Sequence, residues 1–146
     1  MQDTIERKIV IKASKQRVFE AITDAKQLVS WFPDDIEGGL EAGESPLFGF
    51  GEHGKSQLYI VAKDPHDYFA YRWVPGGSDF RGDVQTVPNT LVEFRIEEAA
   101  GNTTVTMIES GFSAMPKEKG EESFGQNSEG WTFMLGRLEK HFAEAQ

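Results

Sequence analysis

The feature that most constrains this chain lies near its end. On a helix of about 100° per residue, with Phe124 set at zero, Trp131 falls at about −20°, Leu135 at about +20°, Leu138 at about −40° and Phe142 at about 0°. That is one narrow, heavy, apolar stripe. It belongs to a long C-terminal helix whose main part runs from Glu129 to Phe142, and Glu129, Arg137, Lys140 and Glu144 take the opposite face. A stripe of this size must be buried against another surface. The upstream chain is mostly strand-like, so the partner is a curved sheet. The question for function is whether the space between helix and sheet is filled by side chains or left open for a ligand.

Residues 4–12 alternate, with Ile5, Ile9 and Ile11 on one face and Glu6, Lys8 and Lys12 on the other, which reads as a half-buried strand. Val10 interrupts the polar face, and Arg7 sits among the apolar residues. Ser14 is a good N-cap for a helix over 15–23. Asp24, with Gln27 in the capping-box position, opens a second short helix that Pro33 ends. The acidic, glycine-rich stretch 34–44 crosses over and begins a strand near 36–40. Strand candidates follow at 46–52, 55–63, 67–74, 90–97 and 103–110. Gly101-Asn102 makes a tight hairpin between the last two. Residues 75–89 form a long polar loop, of the kind that is functional or disordered. Residues 115–120 link the sheet to the final helix, capped by Ser123 with Gln126. A sheet of this length curls, and a curled sheet around a helix is an α+β layer solution. No repeat, linker or second domain is visible, so residues 1–146 read as one domain.

Composition limits the partners. A net charge of −9 over 146 residues argues against nucleic acid and anionic membrane surfaces, which need clustered Lys and Arg, but permits a basic protein partner. No apolar run reaches the length of a membrane span, and the first residues carry no apolar signal core, so a cytoplasmic protein is expected. Without cysteine there is no disulfide framework, thiol nucleophile or thiolate metal site.

Three motif-like features have bland explanations. Gly49-Phe-Gly51-Glu-His-Gly54 fits G-x-G-x-x-G, but a dinucleotide site requires a helix after it. Here the strand-like Lys55-Ser-Gln-Leu-Tyr-Ile follows, so a glycine-rich hairpin is the better account. His53, His66 and His141 are widely separated and fit no spaced metal motif. Asp34, Asp35, Glu37, Glu41 and Glu44 lack the calcium-loop pattern. Neither a metal nor a cofactor is expected.

The run from Ala13 to Phe32, ASKQRVFEAITDAKQLVSWF, resembles the first helical segment of the START-like (SRPBCC) superfamily. Within it, the chain is similar to homologues of the activator of heat-shock protein 90 ATPase. Tyr71-Arg-Trp-Val-Pro75, the pair formed by Thr90-Leu-Val-Glu-Phe94 and Thr104-Val-Thr-Met-Ile-Glu-Ser-Gly-Phe112, and Gly130-Trp131 carry the resemblance through the chain in order. The 38–46 region departs from the family's tighter Gly-Gly turn. The resemblance implies a helix-grip fold: about seven antiparallel strands around the last helix, with a cavity between them. In the superfamily that cavity holds lipids, hormones or polyketide-like molecules, and some relatives are cyclases.

Within that topology the first and last strands are neighbours. On 103–110, Val105, Met107 and Glu109 share a face, so Glu109 points inward with Met107. An inward carboxylate needs a partner or a shifted pKa, and Arg7 is the inward odd residue of the first strand. An Arg7–Glu109 pair is therefore expected, either as a polar ligand anchor or acid/base group, or as a structural ion pair. Phe69, Tyr71 and Trp73 share another strand face, and Phe94 lies on the next strand. With Trp31, Phe48, Phe50, Met107, Trp131 and Leu135 they line an apolar ligand pocket or make a solid aromatic core. Phe133 lies at about 180° on the helix, an aromatic on the polar face, suited to contact with a second protomer or a chaperone. The reading is a binder of a small hydrophobic or amphipathic molecule, with residues 75–89 as an entrance flap. The alternatives are a co-chaperone-type interaction module, and a cyclase- or hydrolase-like enzyme using Glu109. No nucleophile–base pair is apparent, and no catalytic residue is assigned.

Overall fold

The computed structural model describes residues 2–144, with Glu144 described by its backbone only. Seven strands form a single antiparallel sheet: β1 (Thr4–Ile11), β2 (Asp35–Glu37), β3 (Leu47–Gly49), β4 (Lys55–Asp64), β5 (Tyr68–Trp73), β6 (Thr90–Ala99) and β7 (Asn102–Ser110). Their order is β1-β7-β6-β5-β4-β3-β2. The chain thus runs as a meander from β2 to β7, and β1 closes against β7. The helices are α1 (Lys15–Thr23), α2 (Ala25–Leu28) and α3 (Lys117–Glu144). None of the described helices is long and apolar enough to cross a membrane.

The stripe on α3 is buried as its spacing requires: Trp131, Leu135, Leu138 and Phe142 are all buried, and Phe124 packs half-buried against the same core. Facing it, four of the strands contribute alternate residues, Ile5 and Ile11 from β1, Phe69 and Tyr71 from β5, Val92, Phe94 and Ile96 from β6, and Val105 and Met107 from β7. This is the period-2 pattern of a sheet with one buried face. α1 and α2 add Val18, Phe19, Ile22 and Leu28 to the same core.

Several boundaries differ from the sequence reading. α3 starts at Lys117 rather than near Ser123. Pro116 precedes it, where its missing N–H and fixed φ suit a helix start, and its carbonyl accepts from Gly120 N–H at 2.7 Å. Ser14 caps α1 as expected, accepting from Arg17 N–H at 3.2 Å. Asp24 stands before α2 but makes no side-chain cap bond, and α2 ends at Leu28, well before Pro33. The β6–β7 turn is Ala100-Gly101, because Ala99 pairs with Asn102. Both turn residues have positive φ, 54° and 83°, the requirement of a type I′ hairpin. β2 and β3 are only three residues each, shorter than the expected 36–40 and 46–52. The G-x-G-x-x-G stretch is a strand, a 3-10 turn over Gly51–His53 and then β4, with no helix to receive a phosphate.

Candidate functional site

The space between sheet and helix is filled along most of its length. Trp31, Phe48, Phe69, Tyr71, Phe94, Met107 and Leu135 are each at most 2% exposed. Trp31 is fixed there by its indole N–H, which donates to Ala21 O at 2.9 Å. These five rings, with Met107 and Leu135, make the core. At one end the filling stops, and a pocket of about 310 Å³ opens. Phe50, Trp73 and Trp131, of the residues singled out from sequence, line it, together with Phe32, Met134, Asn127 and Pro75 to Ser78. Its apolar wall is one continuous ring cluster. Phe32 lies 5.3 Å from Trp131, 5.4 Å from Phe50 and 6.0 Å from Trp73, and the two tryptophans are 6.0 Å apart, centroid to centroid.

The 75–89 loop forms part of the wall through its first four residues. Its remainder is anchored rather than loose. Val84 is fully buried, Asn89 Nδ2 donates to the carbonyls of Val84 and Val87 at 3.1 and 2.9 Å, and Arg72 donates to Asn89 Oδ1 at 2.9 Å. Gly54 lets the loop approach: with φ of 91°, a Cβ there would sit 2.9 Å from Ser78 Cβ. A side chain at Gly54 is therefore strained twice over.

Glu109 lies directly behind the pocket wall and is 0% exposed. Trp131 Nε1 donates to its Oε1 at 2.8 Å and Trp73 Nε1 to its Oε2 at 2.9 Å. Thr90 Oγ1 donates to Oε2 at 2.5 Å, and Asn127 Nδ2 reaches both oxygens at 3.0 and 3.2 Å. Indole and amide N–H groups only donate, so this donor set matches a carboxylate, which only accepts. Charge-assisted bonds of this kind are the strong ones. The same charge acts on Tyr71, whose hydroxyl is buried with no hydrogen-bond partner among the described residues. Burial pushes the Tyr71 pKa well above its ordinary value, and the nearby Glu109 charge pushes it further.

The expected Arg7–Glu109 pair does not form. β1 and β7 are neighbours, but the register sets Arg7 opposite Met107 and Ile5 opposite Glu109. The Arg7 guanidinium instead crosses to α3. It donates to Ser128 Oγ at 2.7 Å, Ser128 O at 3.1 Å and Thr132 Oγ1 at 3.2 Å, and back to Glu6 O at 3.0 Å. Among the described residues Glu109 has no ionic partner. Its charge is held by neutral dipoles alone. Glu109 is thus buried behind the wall with both oxygens engaged.

Sequence reasoning missed Phe32, Thr90 and Asn127. Asn127 had a signal, because it precedes Trp131 by four residues and so shares its helix face. Thr90 is the first residue of β6 and pairs with Trp73, which only the register reveals. Phe32 carried no signal beyond its neighbour Trp31.

The comparisons agree with this architecture. No curated protein matches the chain. Among solved structures, DynU16, a protein of the dynemicin biosynthetic locus, superposes with a TM-score of 0.80 at 23% identity, over 100% of this chain but 49% of that one. This chain therefore spans about half of that relative. Protein MLL2253 from Mesorhizobium loti gives 0.81 at 17% identity over 98% of both chains. The Aha1 dimer from Colwellia psychrerythraea gives 0.77 at 19% identity, over 97% of this chain and 96% of that one. Identities this low show a shared fold, a curved seven-stranded sheet gripping a long C-terminal helix. The family model described as Activator of Hsp90 ATPase homolog 1-like protein matches residues 12–143, and the chain belongs to that family.

Proposed function

We propose that this protein binds a small hydrophobic or amphipathic molecule in the pocket at the open end of the sheet–helix interface. The observation that carries this reading is the pocket's make-up: about 310 Å³, walled by Phe32, Phe50, Trp73, Trp131 and Met134, with polar groups from Asn127, Gln126 and Ser56 at its edges. Mostly apolar walls with a few placed polar groups are the usual composition of a ligand site, and the volume is at the low end of the usual range. The resemblance to a superfamily whose cavities hold lipids, hormones or polyketide-like molecules points the same way. So does the dynemicin-locus neighbour. Native mass spectrometry of gently purified protein tests it. A reproducible extra mass that disappears on denaturation is expected, and a bare chain mass that persists after incubation with a panel of apolar compounds would count against it.

A second reading concerns the far side of α3. Phe133 is 64% exposed in a shallow groove with Arg137, Lys140 and His141. An exposed aromatic beside the cations Arg137 and Lys140 suits a protein contact, and the family description and the Aha1 dimer among the neighbours make a chaperone or a second protomer the partners to try. Analytical ultracentrifugation and a pull-down with heat-shock protein 90, each with wild type and Phe133→Ser, test it. A sedimentation value and a capture yield that Phe133→Ser leaves unchanged would remove the role of this face.

A further inference from the structure

The charge balance of the pocket points to the class of ligand. Glu109 places a carboxylate behind the aromatic wall, bonded to three residues that line it, Trp73, Trp131 and Asn127. No described cation neutralises it within ion-pair distance. Arg7, which the sequence places nearest, is spent on Ser128 and Thr132. Among the described residues that line it there is no Lys, Arg, Asp or Glu, and His53 is the one titratable group. Two cations reach the outer rim, Lys119 to Gly76 O at 3.4 Å and Arg81 to Ser78 O at 3.0 Å. Both are exposed, where water and salt screen them. Inside, a negative charge behind a low-dielectric wall attracts a cation and repels an anion. The wall itself is aromatic, and tryptophan faces are the best partners for a cation.

Asn127 refines the choice. Its Nδ2 points to Glu109, because the opposite amide orientation would set oxygen against oxygen. Its Oδ1 is thereby turned away from the carboxylate, and no described residue donates to it. It is an acceptor within the pocket lining, suited to an N–H of the ligand.

We propose, resting on the pocket reading above, that the ligand is an apolar molecule carrying a protonated amine, its charge against Trp73 and Trp131 and an N–H donated to Asn127 Oδ1. The test is a matched probe series, phenylbutylamine, phenylbutanol and phenylbutyrate, titrated at neutral pH against the wild-type protein. The indole N–H resonances of Trp73 and Trp131 are the readout. The amine is expected to bind about tenfold more tightly than the alcohol, the gain a desolvated cation–π contact provides, and the carboxylate more weakly than either. Glu109→Gln removes the charge behind the wall and keeps the rings, so it is expected to narrow the difference between amine and alcohol, and a difference that it leaves unchanged would overturn the part given to the carboxylate. Should that variant fail to fold, Asn127→Ala keeps the other three donors on Glu109. It is expected to weaken the amine about fivefold, roughly the net value of one hydrogen bond, and the alcohol by less. Equal binding of amine and alcohol, or tighter binding of the carboxylate, would overturn the proposal while leaving the pocket in place. If no probe moves either indole signal, the pocket reading itself falls, and this proposal with it.

Discussion

The two ends of the sheet–helix interface are built on opposite principles. Toward the C-terminus of α3, Leu135, Leu138 and Phe142 are buried in the apolar cluster, and the Arg17 guanidinium lies 5.6 Å over the Phe142 ring. That end is held by apolar area and close packing, which is non-directional. Toward the N-terminal half of α3, Asn127 and Trp131 meet Trp73, Thr90 and Glu109 in a network where every ring is aimed by a hydrogen bond. The second end gives up packed volume and leaves a pocket. What it gains is orientation, since one carboxylate fixes two tryptophans from different elements. A void beside an apolar core collapses or costs stability. A void beside a hydrogen-bonded wall keeps its shape.

The sharpest way to break this comparison is Glu109→Ala. It leaves two indole N–H groups, an amide and a hydroxyl aimed at nothing, and we expect a loss of about 3–5 kcal/mol, the usual cost of removing one partner from a buried charged network. Urea denaturation measures it. A cost below about 1 kcal/mol would mean that the network is not what holds this end. Leu138→Ala tests the other end. Leu138 is 0% exposed, and its truncation should cost about 3 kcal/mol, transfer plus cavity. The two variants should differ in reach. Glu109→Ala should shift the indole N–H resonances of Trp73 and Trp131, whereas Leu138→Ala should leave them in place.

This division explains which parts were legible in the sequence. Element order, the buried stripe of α3 and the inward face of β7 follow from periodicity, and periodicity is a property of the chain alone. That Glu109 points inward was readable for the same reason. Its partners were not. Opposite charges on adjacent strands suggested Arg7, but β1 places Ile5, not Arg7, across from Glu109. A shift of two positions along a strand keeps the face and changes the neighbour. The four residues that do reach Glu109 come from β5, the start of β6 and two positions on α3, and only the closed sheet brings them together. The pocket was half legible. The aromatic residues were correctly placed on the inner side, but which of them pack and which line an opening depends on where the sheet ends. Register and termination are set by the whole fold, not by any window of residues.

Arg7 sharpens the comparison from outside the network. Its guanidinium ties β1 to α3 through Ser128 and Thr132, at a half-buried position. Arg7→Met keeps the apolar stem and removes these bonds. We expect a loss of about 1 kcal/mol, the net value of a few partly solvated hydrogen bonds, with the affinity of the pocket for a neutral ligand unchanged. A loss matching that of Glu109→Ala would show that Arg7 belongs to the network after all.

The smallest effect expected is also the most diagnostic of how far the network extends. Tyr71 OH is buried and without a described partner, so Tyr71→Phe removes a polar group that already lacks its hydrogen bond. The variant should be neutral or more stable by about 1 kcal/mol. The pH dependence carries the sign. The Tyr71 pKa is raised in the folded protein by burial and then by the charge of Glu109, whereas in the unfolded chain tyrosine ionises near its ordinary value of about 10. The unfolded state therefore releases a proton above about pH 10 that the folded state retains, and stability falls as pH rises from there. Tyr71→Phe lacks this term, so its advantage over wild type should widen between about pH 8 and pH 11, read from urea midpoints. A variant that is instead less stable at the lower pH would mean that the hydroxyl has a partner in solution. The one within reach of that inference is a buried water bridging it to Glu109, which would place the ordered, hydrogen-bonded end of the interface one strand position deeper into the core.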